Sequence, residues 1–576
     1  MHMSRPEFKG TRHVVSAGHH LASAAAFNIL EAGGNAIDAG VAGGIALGVL
    51  QSDLVSVAGV APIILYLAET EEIVTISGLG WWPKAADTDY FRREHGGAIP
   101  HGLKRTVVPA APDAWITALE KYGTMSFGDC AEAAIRFAGE GFAMFPLKAQ
   151  TITNNVEIYR RYPSSAQIYL PDGEPPQVGS LFRNPDLADS LRYMVDEERA
   201  AARVGGREAG LKAARDAFYK GDIARRIVRF QEEEGGWLTA EDLASFRVGI
   251  EPPVKTTFGD VEVYGCGVWC QGPALLQALN LVESFDLKGM GYNSPDYIHT
   301  LTEAIKLVMA DRDAWYGDPR FVDVPIDRLL SKEYADIRRE MIRPHEAWPE
   351  MPAAGKGVEL GVEGDRPAPK RPPKDMGSPG AELDTSYLCV VDRHGNVFSA
   401  TPSDGSYNGP ITPGTGMAIS PRGSQSWTDP DHPSCLAPGK RPRLTPNPAI
   451  AIRGNREFVP FGTPGGDVQT QAMLQTFLNV FVWGMEPQAA VEAPRFASYS
   501  FPSSFEPHKY YPGLLKLEGL IDRAAGDELE RRGHRIEWWP DVIWLAGSMG
   551  IIHADRETGL LSAGADPRRM AYAMGW

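Results

Sequence analysis

The 576-residue sequence has only five cysteines, Cys130, Cys266, Cys270, Cys389 and Cys435. They are odd in number and scattered, which excludes a disulfide framework and fits free thiols in a reducing, cytoplasmic compartment. Cys266 and Cys270 form no CxxC and have no second pair, so a zinc site is not expected. Basic clusters are lacking too. Lys and Arg total 57 against 73 Asp and Glu, a formal net charge of −16. Nucleic-acid partners need a basic footprint and are excluded on this ground. Long hydrophobic runs are also missing. The most apolar stretches, 39–50 and 54–67, are interrupted by Gln51, Ser52 and Asp53. Each falls short of the roughly 18 residues a membrane span needs, so both read as buried core and no membrane partner is expected. The first residues, "MHMSRPEFKGTRHVV", show no apolar signal core, which again points to the cytoplasm.

What is present is a mixture of helix and strand signals. "SAAAFNILEAGGNAIDAGVAGGIALGVL" predicts two packed helices, the first stopping at Gly33-Gly34 and the second starting at Asn35. Thr239 with Asp242 three residues on predicts a helix start, and Ser294-Pro295 predicts another, with Ile298, Leu301, Ile305 and Val308 at helical spacing. "DVEVYGC" and "TSYLCVV" have strand character. The expectation is an α+β chain. Residues from about 352 to 384 stand apart. They are rich in Pro, Gly and charge and nearly empty of bulky apolar groups, which predicts a flexible linker.

That linker ends at Asp384, and Thr385 opens a hairpin whose turn is Arg393-His394-Gly395-Asn396. A threonine hydroxyl is a poor nucleophile without an adjacent base. Cutting the chain before Thr385 would create one, an α-amino group with a reference pKa of about 8. Alone, a Thr at a strand start is most often a structural residue. A second feature is "FGTPGGDVQTQAMLQTFLNVFVWG", in which Gly465-Gly466 directly precede a predicted helix. Two glycines there serve either a tight turn or an oxyanion hole, where bare N–H groups and a helix N-terminus favour negative charge.

The order of these elements resembles the γ-glutamyltransferase family of N-terminal-nucleophile hydrolases over nearly the whole chain. The resemblance is carried by "AGGNAIDAGVAGGIALGV", "GGWLTAEDLASFRV", "TSYLCVVDRHGNVFS", "GKRPRLTPNPAI", "GTPGGD" and "EAPRF", in family order. It implies a four-layer αββα sandwich, one globular unit built from two autoproteolytic pieces. These are a large subunit 1–384, including the linker, and a small subunit 385–576, cut between Asp384 and Thr385 and remaining associated. Thr385 falls on the family nucleophile, Ser386 replaces the usual second Thr, and Ser403 falls where a supporting Thr hydroxyl stands. Gly465 and Gly466 fall on the oxyanion glycines. The implied reaction cleaves a small-molecule amide through a threonyl ester, without metal or organic cofactor. Further pairing of the heterodimers is left open.

Residues that hold a γ-glutamyl group in the family are replaced here. Leu79 stands at the Arg position, Leu444-Thr445 at the paired serines, Gly405 at an Asn, and Gln425 near the acidic position. A leucine cannot replace a bidentate carboxylate clamp. The pocket is expected to offer Leu79, Trp81, Trp82 and Trp427 instead, with Arg422 as a carboxylate partner. The pattern resembles a divergent branch including oxamate amidohydrolases and invites comparison with the cephalosporin acylases. A non-γ-glutamyl amidohydrolase or acyltransferase is therefore expected. The alternatives are γ-glutamyl transfer with glutathione hydrolysis, an uncleaved binding protein, and a metal hydrolase on His19-His20 or on Asp311, Asp313 and Asp318.

Overall fold

The structure is a computed structural model that describes residues 4–362, 365, 369–380 and 384–576. At its centre lie two seven-stranded sheets. The first runs, in spatial order, Phe8–Gly10, Leu560–Ala565, Gly550–Asp555, Glu457–Gly462, Ala449–Arg453, Val261–Gly265 and Val254–Phe258. The second runs Tyr572–Gly575, Val14–Ala17, Leu388–Val391, Val397–Ala400, Ile63–Leu67, Glu72–Ile76 and Ile250–Glu251. Every neighbouring pair in both sheets is antiparallel.

The period-two alternation of side chains sorts these strands into layers. Ile450 and Ile452 of the first sheet meet Cys389 and Val391 of the second in a core between the sheets. Their neighbours Ala449 and Ala451 point the other way, onto the helices Gly272–Val282, Pro295–Trp315 and Val468–Phe481. Leu388 and Val390 likewise face the helices His20–Glu31 and Ala36–Leu50. The result is a four-layer αββα sandwich.

The helix Ala36–Leu50 is buried on every side, and small residues make that packing feasible. A Cβ on Gly40 would lie 2.3 Å from the Phe398 ring, and one on Gly44 would lie 2.5 Å from Trp115. Asn35 caps this helix by accepting from Ile37 and Asp38 N–H groups, while Asp38 caps Asn35 in return. The other two helix starts expected from the sequence are also in place. Thr239 and Asp242 form a capping box, and Ser294 caps Pro295–Trp315.

Residues before and after 384 alternate within the sheets. Leu388–Val391 and Val397–Ala400 are adjacent and lie between Val14–Ala17 and Ile63–Leu67. Of the expected linker, 363, 364, 366–368 and 381–383 lie outside the described residues. Its described parts include a helical turn at Gly357–Leu360, a bridge from Lys374 to Tyr510 and a hydrogen bond from Lys516 to Ser378. Among the described residues, no helix is long and apolar enough to cross a membrane.

Gly40→Val inserts three carbons where the Phe398 ring already sits. It is expected to lower unfolding free energy by about 3 kcal/mol in denaturant titration. An unchanged midpoint would mean that close packing does not set this residue.

Candidate active site

The hairpin register builds the site. Leu388 pairs with Ala400 and Val391 with Val397. Asp392 closes the turn, accepting from the His394 and Asn396 N–H groups, and also accepts from the Ala36 N–H at the start of the buried helix. Continuing the register back toward the linker places Thr385 opposite Ser403. The Ser386 N–H donates to Pro402 (2.9 Å), the Thr385 N–H to Leu54 (2.8 Å) and the Ser403 N–H to Val60 (3.0 Å). Thr385 is fully buried. Its φ is +77° and that of Asp404 is +93°, left-handed values that residues with a Cβ adopt rarely.

Side chains around Thr385 close a hydrogen-bonded ring. The Thr385 hydroxyl donates to Asp384 Oδ1 at 2.7 Å and lies 2.7 Å from Ser403 Oγ. Arg422 Nη2 donates to Ser403 Oγ and pairs with Asp384 Oδ2 at 2.8 Å. Because the Thr385 hydroxyl spends its one proton on Asp384, Ser403 is the donor in that pair. Arg422 is itself only 1 % exposed. Its Nε donates to Asp404 Oδ1 at 2.7 Å, and Ser420 donates to the other Asp404 oxygen. Burial pushes the Asp404 carboxyl up against the opposing pull of Arg422. Burial also opposes charge on Arg422, yet Asp404 and Asp384 outweigh it and hold its pKa above the ordinary value.

Asp384 lines a cavity of about 320 Å³ that is also lined by Gly465, Gly466, Arg569 and the linker residues Pro379 and Gly380. Gly465 and Gly466 have φ of +127° and +56°, conformations open to glycine. They lead through Asp467 into the helix Val468–Phe481, whose N-terminal field favours negative charge. Asp467 is locked by Arg312, Gln271 and Ser504. Burial resists its ionisation, but Arg312 and Ser504 prevail and keep its pKa below the usual range.

Arg569 Nη1 donates to the Thr385 carbonyl at 3.1 Å. Burial lowers its pKa to about 10 against the support of Asp384 and Asp53. Asp53 is fully buried, and desolvation raises its pKa against the pull of Lys148. Sequence reading missed Asp53 and Arg569. Neither carries a local pattern that marks it. Only tertiary packing sets them beside Thr385.

The remaining expected substrate-binding residues sit elsewhere in the interior. Leu79 and Leu444 share a small apolar cluster with Val60, Cys266, Trp269 and Cys270. Gln425 donates to Thr445 at 2.9 Å. Gly405 packs so closely that a Cβ would lie 2.2 Å from the Asp53 carbonyl. Trp82 donates to Ser426, and Trp81 packs on Phe246. Trp427 is sandwiched between His432 and His508, with ring centroids 4.3 and 3.8 Å away. None of these residues lines the cavity, whose aromatic wall is Tyr407, Tyr499, Phe501, Phe505 and Tyr511.

Asp311, Asp313 and Asp318 disperse to separate partners. These are Tyr334 and Arg338, His432 and Arg443, and Arg320 and Arg441. His19 spends its Nδ1 on the Leu21 N–H and stacks on His20. Among the described residues, His299, Glu303 and His534 do cluster with metal-ligand spacing. There the Glu303 carboxylate is already paired with Lys306 at 2.7 Å, and a second cation would face that ammonium group.

A family model described as Gamma-glutamyltranspeptidase matches residues 22–576. The glutathione hydrolase-like YwrD proenzyme of Bacillus subtilis (strain 168) is 31% identical over 571 residues, covering 98% of this chain and 99% of that one. The acylase ACY 1 proenzyme of Pseudomonas sp. (strain V22) is 31% identical over 558 residues, covering 94% and 90%. The crystal structure of cephalosporin acylase from Bacillus halodurans superposes with a TM-score of 0.85 at 28% identity, covering 100% of this chain and 98% of that one. Paired sheets between helical layers and near end-to-end matches lead to one conclusion: the chain belongs to the gamma-glutamyltranspeptidase family of N-terminal-nucleophile hydrolases.

Proposed function

We propose that this protein is an autoprocessed amide hydrolase or acyltransferase whose nucleophile is Thr385, acting on acyl groups other than γ-glutamyl. One observation carries the reading. The Thr385 hydroxyl is engaged by Ser403 and Asp384 beside a cavity that two left-handed glycines also line. Scission between Asp384 and Thr385 yields a large subunit 1–384 and a small subunit 385–576. The interleaved strands keep them together. Proenzyme relatives support this part of the reading.

In the processed protein, the Thr385 α-amino group accepts the hydroxyl proton and Oγ1 adds to the substrate carbonyl. Gly465 and Gly466 N–H groups hold the oxyanion, a contribution of about 3–4 kcal/mol per donor in comparable sites. The amine leaves, and water or an acceptor amine releases the acyl group from the ester. Departure of Asp384, Pro379 and Gly380 enlarges the cavity and leaves Arg422 with one carboxylate fewer. Arg422 is then a partner for a carboxylate on the acyl group, which suits a small acid amide such as oxamate.

The discrimination against γ-glutamyl groups rests on Leu79. It sits in a buried apolar cluster, and a leucine offers no guanidinium of its own to clamp the substrate's α-carboxylate. A second reading, glutathione hydrolysis, draws on the names of the Bacillus subtilis relatives.

Intact-mass analysis of purified protein should show two polypeptides, the smaller beginning Thr-Ser-Tyr-Leu, which co-elute under native conditions. Thr385→Ala should give one full-length chain without turnover. Active protein with an uncut chain would end the proposal. Turnover of simple acyl amides should exceed that of glutathione by about 100-fold or more, the scale of a lost bidentate clamp. Efficient glutathione hydrolysis would favour the second reading. Because the base is an amine with a reference pKa of about 8, kcat/KM should rise with pH and level off above that value. A profile falling through neutrality would exclude an amine base.

A further inference from the structure

The amine that serves the processed enzyme does not exist before the cut, so the intact chain needs another proton acceptor. We infer that the side chain of Asp384 is that acceptor, making the residue ahead of the scissile bond the general base for its own cleavage. This rests on the reading of Thr385 above.

Geometry carries the assignment. Two side chains hydrogen-bond to Thr385 Oγ1, Ser403 and Asp384, both at 2.7 Å. Ser403 is a neutral hydroxyl that accepts from Arg422, a far weaker proton acceptor than a carboxylate. Asp384 is the member of the pair with a carboxylate, and the Thr385 hydroxyl points its proton there. A base within about 2.6–3.2 Å of the proton it takes meets the geometric requirement. Arg422 holds the far oxygen, Oδ2, at 2.8 Å, which fixes Oδ1 toward the hydroxyl. Asp404 anchors Arg422 from behind, so Arg422 is a positioning residue and not an acid in the reaction. Thr385 meanwhile sits at φ +77°, an unfavourable backbone that scission releases. Arg569 fixes the carbonyl on the far side of Thr385.

The step balances. The Thr385 Oγ1 proton passes to Asp384 Oδ1 as the Oγ1 lone pair adds to the backbone carbonyl carbon of Asp384. The carbonyl π pair moves to its oxygen. When that pair returns, the Asp384–Thr385 C–N bond breaks, and the proton held on Oδ1 goes to the departing Thr385 nitrogen. This leaves an ester between the Asp384 acyl carbon and Thr385 Oγ1, with a new α-amino group. Water then adds to the ester; one of its protons leaves with Oγ1, the other goes to the new α-amino group, and Asp384 ends as a free C-terminal α-carboxylate. Its side-chain carboxylate is regenerated unchanged.

The experiment follows conversion of freshly purified full-length chains by intact mass, with melting temperature recorded for each variant. Asp384→Asn keeps the shape and removes the base, so scission should slow by 100-fold or more while the fold persists. Asp384→Glu should retain part of the rate. Asp384→Ala leaves room beside Thr385, and added formate should restore scission in a concentration-dependent way. A structural role would show no such rescue. If Asp384→Asn splits as fast as wild type, or if folded Asp384→Ala ignores formate, Asp384 is not the base. A wild-type chain that never splits overturns the underlying reading, and this inference with it. Split wild type beside equally split Asp384→Asn overturns this inference alone.

Discussion

A buried guanidinium organises the surroundings of Thr385. Arg422 is sealed inside the protein and must draw its stabilisation from Asp404, Asp384 and Ser403. Removing one partner from a buried ion pair commonly costs about 3–5 kcal/mol, so the arrangement is a strong orienting force. It sets where the Asp384 carboxylate points, which way the Ser403 proton faces and where the Thr385 hydroxyl rests. The left-handed backbones of Asp404 and Thr385 are tolerated because this network over-determines them.

Those parts of the fold and site that depend on near neighbours were legible in the sequence. Alternation in "TSYLCVV" and the turn at Asp392–Asn396 fix a local hairpin, and its register sets Thr385 across from Ser403. Gly465-Gly466 ahead of a helical pattern announces a tight approach to a helix N-terminus. The glycines of Ala36–Leu50 announce close packing, realised against Phe398 and Trp115.

Contacts across long separations were not legible. Arg569 reaches Thr385 from the far end of the chain, and Asp53 arrives from the loop after a buried helix. Leu79 and Leu444 were expected to face a ligand because of the positions they take over. Apolar side chains with no polar partner instead satisfy each other, and they close on Cys266, Cys270 and Trp269. Trp81, Trp82 and Trp427 were expected to line the pocket from their positions, but Trp427 is consumed by two histidine rings and the cavity takes its aromatic wall from tyrosines and phenylalanines. Arg422, read as a residue awaiting a carboxylate, already has two within the intact chain.

The strand order has a consequence for the molecule's history. The hairpin Leu388–Ala400 is wedged between strands that precede residue 384. Continuity of the polypeptide makes finding that slot a search within one chain. A severed protein, once denatured, has to solve it between two molecules, at a rate and yield set by dilution. On the proposed scission, folding is effectively a single-use event, with persistence governed by the barrier to unzipping the central sheet and not by an equilibrium the pieces can revisit.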